Sequence, residues 1–280
     1  MTQPEPAEAL TPRRKLALRR AHDFLERPDF AARIAQYAGR PLDRALRMVP
    51  RGFNDRLSKA VEKAILAGLG VAIRSLGARA RPRPSSAAAT ALASASGGVS
   101  GFFGPLALAL ELPLTTTLML RSIADIARHH GEDLTQIEAR LACLEVLGLG
   151  ARRSRGDIEV GYYATRAMLA RLTADASAAF IERGAATASA PAVGSLVGEI
   201  AARFGVVVSE RAAASALPVL GALGGAGVNA LFMQHFQRVA HGHFTVRRLE
   251  RLCGVEAVRS YFQSLEAERP ADEPRSPPRR

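Results

Sequence analysis

Residues 217–232 read LPVLGALGGAGVNALF, a run with four glycines, a proline and no charge. Such a stretch can be a dinucleotide-binding turn, a helix pair packed too closely for side chains, or a segment that enters a membrane. Its surroundings narrow the choice. No Asp, Glu, Lys or Arg occurs from 212 to 237, and none from 84 to 110; Glu111 interrupts, and 112–120 is again uncharged. Apolar residues recur at helical spacing through most of the rest, so the sequence predicts an all-α domain. Its two Gly/Pro-rich apolar helical hairpins, 84–120 and 205–232, would be either re-entrant or core.

Both segments are long enough to cross a bilayer but poorly suited to one straight crossing. Ser94, Ser96, Ser100, Thr115–Thr117 and the internal prolines leave polar groups that need partners in lipid. Arginines flank both sides: Arg79, Arg81 and Arg83 precede the first segment and Arg121 and Arg128 follow it. Arg203 and Arg211 precede the second, and Arg238, Arg247 and Arg248 follow it. A single crossing would place positive charge on both faces, against the usual cytoplasmic bias, so a hairpin that dips and returns fits better. The residues expected at the insertion are Phe102, Phe103, Pro105, Pro113, Pro218, Gly221, Gly224, Gly225 and Gly227, with the small ones allowing close helix approach. Glu111, Arg121 and Asn229 are the expected buried polar groups, and Arg121 is the nearest partner in sequence for the Glu111 carboxylate.

The 280 residues carry a formal charge of +12, with 48% apolar and only 5% aromatic residues and no Trp. A core built from Ala, Leu and Val suits tight helix packing. The charge is uneven: residues 1–83 hold 18 basic against 8 acidic side chains. A recognition helix or interleaved stacking aromatics would be needed to read this as nucleic-acid binding, and neither is evident. Anionic lipid is the expected partner, with a membrane protein complex or self-association as further possibilities. Four regions follow: a disordered 1–12, an Arg-rich helical region 13–83, a helical domain 84–265 containing both hairpins, and a disordered tail 266–280. Cys143 and Cys253 stand apart in helical contexts and read as core residues of a reducing compartment. With acids and prolines first and no apolar core, the N-terminus does not read as a secretory signal. The expected location is the cytoplasmic face of the cell membrane, or the cytoplasm.

Enzyme readings were tested against the same residues. GAGVNA (225–230) satisfies GxGxxA, which needs a preceding strand and an acid about twenty positions on. Glu250 is at that distance, but in RRLERL. GSLVG (194–198) has Leu where a nucleophile elbow has Ser. His235, His241 and His243 cluster in sequence and are weak metal candidates; zinc would need further ligands, and solvated helix-end histidines are the plainer expectation. No catalytic residue, cofactor or metal is assigned. A soluble enzyme binding a nucleotide or metal and a soluble helical oligomeric scaffold remain the alternatives to membrane association.

ELPLTTTLMLRSIADIARHHGEDL (111–134), EARLACLEVLGLG (138–150) and GYYATRAMLA (161–170) resemble the central part of the EcsC family of bacterial proteins. The block RFGVVVSERAAASALPVLGALGGAGVNALFMQHFQRVAHGHFTVRRLERLCG (203–254) continues the resemblance, and RPDFAARIAQYAGRPLDRALRMVP (27–50) extends it. The resemblance implies membrane association and an accessory role in transport or envelope processes, since the family is named for a component encoded with an ABC transporter. It implies no reaction and no catalytic residues.

Overall fold

The computed structural model describes residues 9–26, 30, 33–34, 59–68, 105–151, 161–183, 191–215 and 221–268. Every regular element among them is a helix. In chain order these are α1 (Pro12–Glu26), α2 (residues 59–68), α3 (Pro105–His129), α4 (Ile137–Leu149), α5 (Tyr162–Arg183), α6 (Pro191–Ser215), α7 (Gly221–Cys253) and α8 (Val255–Ala267).

Helix boundaries follow local chemistry. Pro12, Pro105 and Pro191 open their helices, where the missing N–H costs nothing and the fixed φ suits the first turn. Gly131 ends α3 at φ 83°, and Glu132 N–H reaches back to Ala127 O at 3.0 Å, the Schellman closure that a left-handed glycine permits. Gly254, at φ 85°, turns α7 into α8. Helix α8 runs through Ala267, so the first two residues of the tail expected from sequence, 266 and 267, are helical.

The architecture is organised around α7. At 33 residues it is about 50 Å long and packs against α1, α3, α4, α6 and α8. Helix α3 runs parallel to it: Asn229 lies beside Glu111, Gln237 beside Ser122 and His241 beside His130. Residues 122–130 of α3 and 237–241 of α7 therefore lie side by side. Helix α6 is antiparallel to α7, with Phe204 against Phe232 and Phe236 and Arg211 nearer the start of α7. Helix α1 is antiparallel as well, with Ala21 and Leu25 against Gly242 and Ala9 near Cys253. The Arg-rich N-terminal helix thus shares the core of the rest of the chain.

Helix α4 is buried on every side from Leu141 to Gly150. Such a helix cannot be amphipathic, and α3, α5, α6 and α7 surround it. Both cysteines are free and buried.

Two glycines separate packing from propensity. A Cβ on Gly242 would lie 2.8 Å from Leu25 Cγ and 3.0 Å from the Ala21 carbonyl, whereas one on Gly198 meets nothing within 4 Å. Gly198→Ala is expected to stabilise by about 0.5–1 kcal/mol through helix propensity. Gly242→Ala is expected to destabilise by about 1–3 kcal/mol through overpacking against a backbone that cannot move aside. Urea unfolding of the two variants should give midpoint shifts of opposite sign; shifts of one sign would mean that α1 does not approach α7 this closely.

Candidate functional site

Two polar layers cross the bundle, one near each end of α7. The first sits where the uncharged segments converge. Arg211, near the C-terminal end of α6, donates to Glu111 Oε1 of α3 at 2.8 Å. Thr115 Oγ1, one turn on in α3, and Asn229 Nδ2 of α7 donate to the same oxygen at 3.1 and 3.2 Å. The Arg211 side chain is 2% exposed and that of Glu111 8%. The guanidinium also lies 4.9 Å from the centre of the Phe232 ring. One carboxylate thus ties together three helix ends. The Arg121 expected beside it is exposed instead. Ten residues along one helix separate two side chains by about 15 Å, beyond reach of a salt bridge.

Outside this layer the first turns of α3 and α7 and the last residues of α6 carry no charged side chain. Leu114 is 54% exposed although it follows Pro113 in an uncharged stretch. Helix α6 contains, in Pro191–Ala214, the one segment among the described residues that is long and apolar enough to cross a membrane by length and composition, and less than half of it is buried. Of the expected insertion residues, Pro105 starts α3, while Pro113 lies half-buried inside it with its carbonyl accepting from Thr117 Oγ1 at 2.8 Å. Gly221, Gly224, Gly225 and Gly227 belong to the first two turns of α7. Phe102, Phe103 and Pro218 lie outside the described residues.

The second layer is at the other end. Glu132, just past α3, accepts from Arg247 Nε at 2.9 Å and from Arg251. Burial alone would raise its carboxyl, but the bonds and charges of these two arginines outweigh it and hold the carboxyl low. Arg166 of α5 grips Glu250 through two bonds of 2.7 Å, joined by the Tyr163 hydroxyl at 3.3 Å. Beneath these pairs lie Glu145 of α4 and His243 of α7, both buried. Tyr162 OH is 3.0 Å from His243 Nδ1, and Thr173 Oγ1 donates to Glu145 Oε1 at 2.5 Å. Glu26, at the end of α1, accepts the Tyr162 N–H at 2.9 Å and so caps α5.

The three histidines of α7 are not solvated helix-end groups, and they do not converge. His235 is buried against the Gly150 carbonyl at 2.7 Å, His241 meets His130 at 3.3 Å, and His243 faces Tyr162. Residues two apart on a helix point to different faces, so HGHF cannot offer both rings to one ion. No group of three or more His, Cys, Asp or Glu side chains able to hold a metal occurs among the described residues. GAGVNA lies inside α7 rather than at a strand-to-helix turn, and Glu250 is engaged by Arg166. The dinucleotide reading therefore loses the context it requires.

Sequence reading missed Glu145 and Arg211. Signals for both were present: Glu145 is the only charge in LACLEVLGLG, and Arg211 is the last charge before the uncharged 212–237.

The geometry defines a class, an all-helical bundle with polar layers near both ends of its central helix and uncharged helix turns outside one of them. The profile of the EcsC protein family matches residues 16–249, most of the chain, and the protein belongs to that family. No curated protein and no solved structure was found to match it.

Proposed function

We propose that the chain docks on the cytoplasmic face of the cell membrane through the end of the bundle built by the starts of α3 and α7 and the close of α6, in an accessory role to a transport or envelope process. One observation carries the reading. The two long uncharged segments, far apart in sequence, lead into or arise from the same end of the bundle, marked by the Glu111–Arg211–Asn229 layer. Small residues and apolar side chains beyond a last polar layer suit the boundary between headgroups and acyl chains. Exposed Leu114, in the uncharged stretch beside that layer, supports the same end.

The basic residues of α1 are far from that end. Ala9, just before α1, lies near Cys253, and Arg19 bonds Tyr261 of α8. From Asn229 to Cys253 the central helix spans about 36 Å. That distance is several times the Debye length of about 8 Å at physiological ionic strength. Docking through the apolar end is therefore expected to survive salt and to occur on neutral as well as anionic vesicles. Flotation of the purified chain with both vesicle types tests this. The wild type is expected to float, and Leu114→Asp combined with Phe102→Asp and Phe103→Asp is expected to remain at the bottom. Flotation only on anionic vesicles and abolished by moderate salt would move the contact to the α1 arginines; no flotation would overturn the reading.

A further inference from the structure

Glu145 and His243 face one another deep between α4 and α7, and one polar atom there has no partner. His243 Nε2 is buried without a hydrogen bond, and the nearest carboxylate oxygen, Glu145 Oε2, is 3.9 Å away. The neighbouring contacts are complete: Thr173 donates to the other Glu145 oxygen, and Tyr162 OH meets His243 Nδ1. A buried imidazole nitrogen left bare weakens the fold, and a movement of about 1 Å toward Glu145 closes the gap.

We infer that Glu145 and His243 form a pH-sensitive latch, in which Glu145 as a neutral acid donates a hydrogen bond to His243 Nε2, His243 Nδ1–H donates one to Tyr162 O, and loss of the Glu145 proton unlocks α4, α5 and α7. Each group in the chain then has a defined role. Thr173 donates to Glu145 from α5, and Tyr162, whose N–H is held by Glu26, anchors the far end. The charged groups acting on the pair are Arg166 of α5, Arg247 of α7 and Glu132 after α3. Burial pushes Glu145 above the ordinary carboxylate range, opposed by the Thr173 hydroxyl and then by Arg247 and Arg166. Burial pushes His243 well below the ordinary imidazole value, and the same two arginines push it further. Both directions favour the neutral acid beside the neutral imidazole.

The sign of the linkage follows. A raised carboxyl means that the folded chain binds a proton which the unfolded chain has already released, so this part of the stability is full below about pH 4.5 and declines as pH rises toward the folded value. A lowered imidazole acts in the opposite sense, but only below about pH 6.5. The imidazoles, the α-amino group and the thiols that titrate between about pH 5 and 8.5 are shared with a variant carrying Gln at 145, so the difference between the two chains isolates the Glu145 slope. Gln at 145 keeps a donor toward Nε2 and an acceptor for Thr173, and it cannot ionise.

The test compares urea unfolding of wild type and Glu145→Gln from pH 5 to 8.5. As pH rises above the ordinary carboxylate range, the wild-type folding constant is expected to fall relative to the variant, by up to about tenfold per pH unit, until the raised Glu145 carboxyl has ionised in the folded chain. Parallel curves would overturn the latch. Nitrogen NMR of the wild-type histidines serves where the variant does not fold: His243 is expected as the Nδ1–H tautomer at pH 7, and an Nε2–H tautomer or imidazolium would overturn the assignment.

Discussion

Arg211→Ala is expected to cost the chain about 3–5 kcal/mol, the usual result of stranding one member of a buried ion pair. The Glu111 carboxylate would keep Thr115 and Asn229 as donors but lose the Arg211 guanidinium. The stacking of the guanidinium on Phe232 goes as well. The loss should fall at the junction of α3, α6 and α7, since no other residue of α6 reaches both Glu111 and Phe232 in the described contacts. Denaturant unfolding measures it. The double change Glu111→Gln with Arg211→Met separates charge from packing: the Gln carbonyl still accepts from Thr115 and Asn229, and the Met fills the space beside Phe232. At least half of the lost stability is expected to return. A double variant as unstable as Arg211→Ala would mean that the pair itself, rather than the stranded charge, holds this end together.

Acid is expected to unfold the bundle well before its carboxylates are all protonated. His235 lies wholly inside, and burial lowers it to about 4, while its bond to the Gly150 carbonyl and the charges of Arg33 and Arg238 are smaller influences. A lowered imidazole takes up its proton less readily in the folded chain than in the unfolded one. Its contribution is therefore present above about pH 6.5, declines as pH falls and is gone below about 4, amounting to about 3 kcal/mol. His243 acts in the same sense, and His130, lowered to about 4 chiefly by burial, adds to it. Glu132, held low by its arginines, continues the loss below about pH 4.5, while raised Glu145 opposes part of the decline. His235→Gln keeps a donor for Gly150 and cannot charge. Its stability should fall less steeply than the wild type's between pH 6.5 and 4, read by thermal unfolding at each pH. Equal slopes would place the His235 ring in contact with water.

The helices were legible in the sequence because their signals are local. Prolines open α1, α3 and α6 and Gly131 closes α3, while apolar residues at helical spacing mark the all-helical class. The family was legible for a different reason, since its motifs run along most of the chain. What the sequence concealed was pairing across distance. Glu111 finds Arg211 a hundred residues later, while the nearer Arg121 is carried up the helix and outward. The histidines of α7 looked like one cluster because they are close in sequence. A helix with 3.6 residues per turn sends them instead to Gly150, His130 and Tyr162. Glu145 illustrates the limit best: a lone acid in an apolar helix announces burial, but its partners Thr173 and His243 come from two other helices.

The central claim is that one end of the bundle, and not the other, meets lipid. Spin labels at Leu114→Cys and at Val255→Cys, each in a chain whose Cys143 and Cys253 are replaced by Ala, address it directly. Leu114 is at the apolar end, and Val255 is exposed at the opposite one. With neutral vesicles, the label at 114 is expected to become accessible to oxygen dissolved in the bilayer and shielded from an aqueous nickel chelate, while the label at 255 stays in water. Equal aqueous exposure of both labels on vesicles that carry the protein, or lipid contact at 255 alone, would contradict the account.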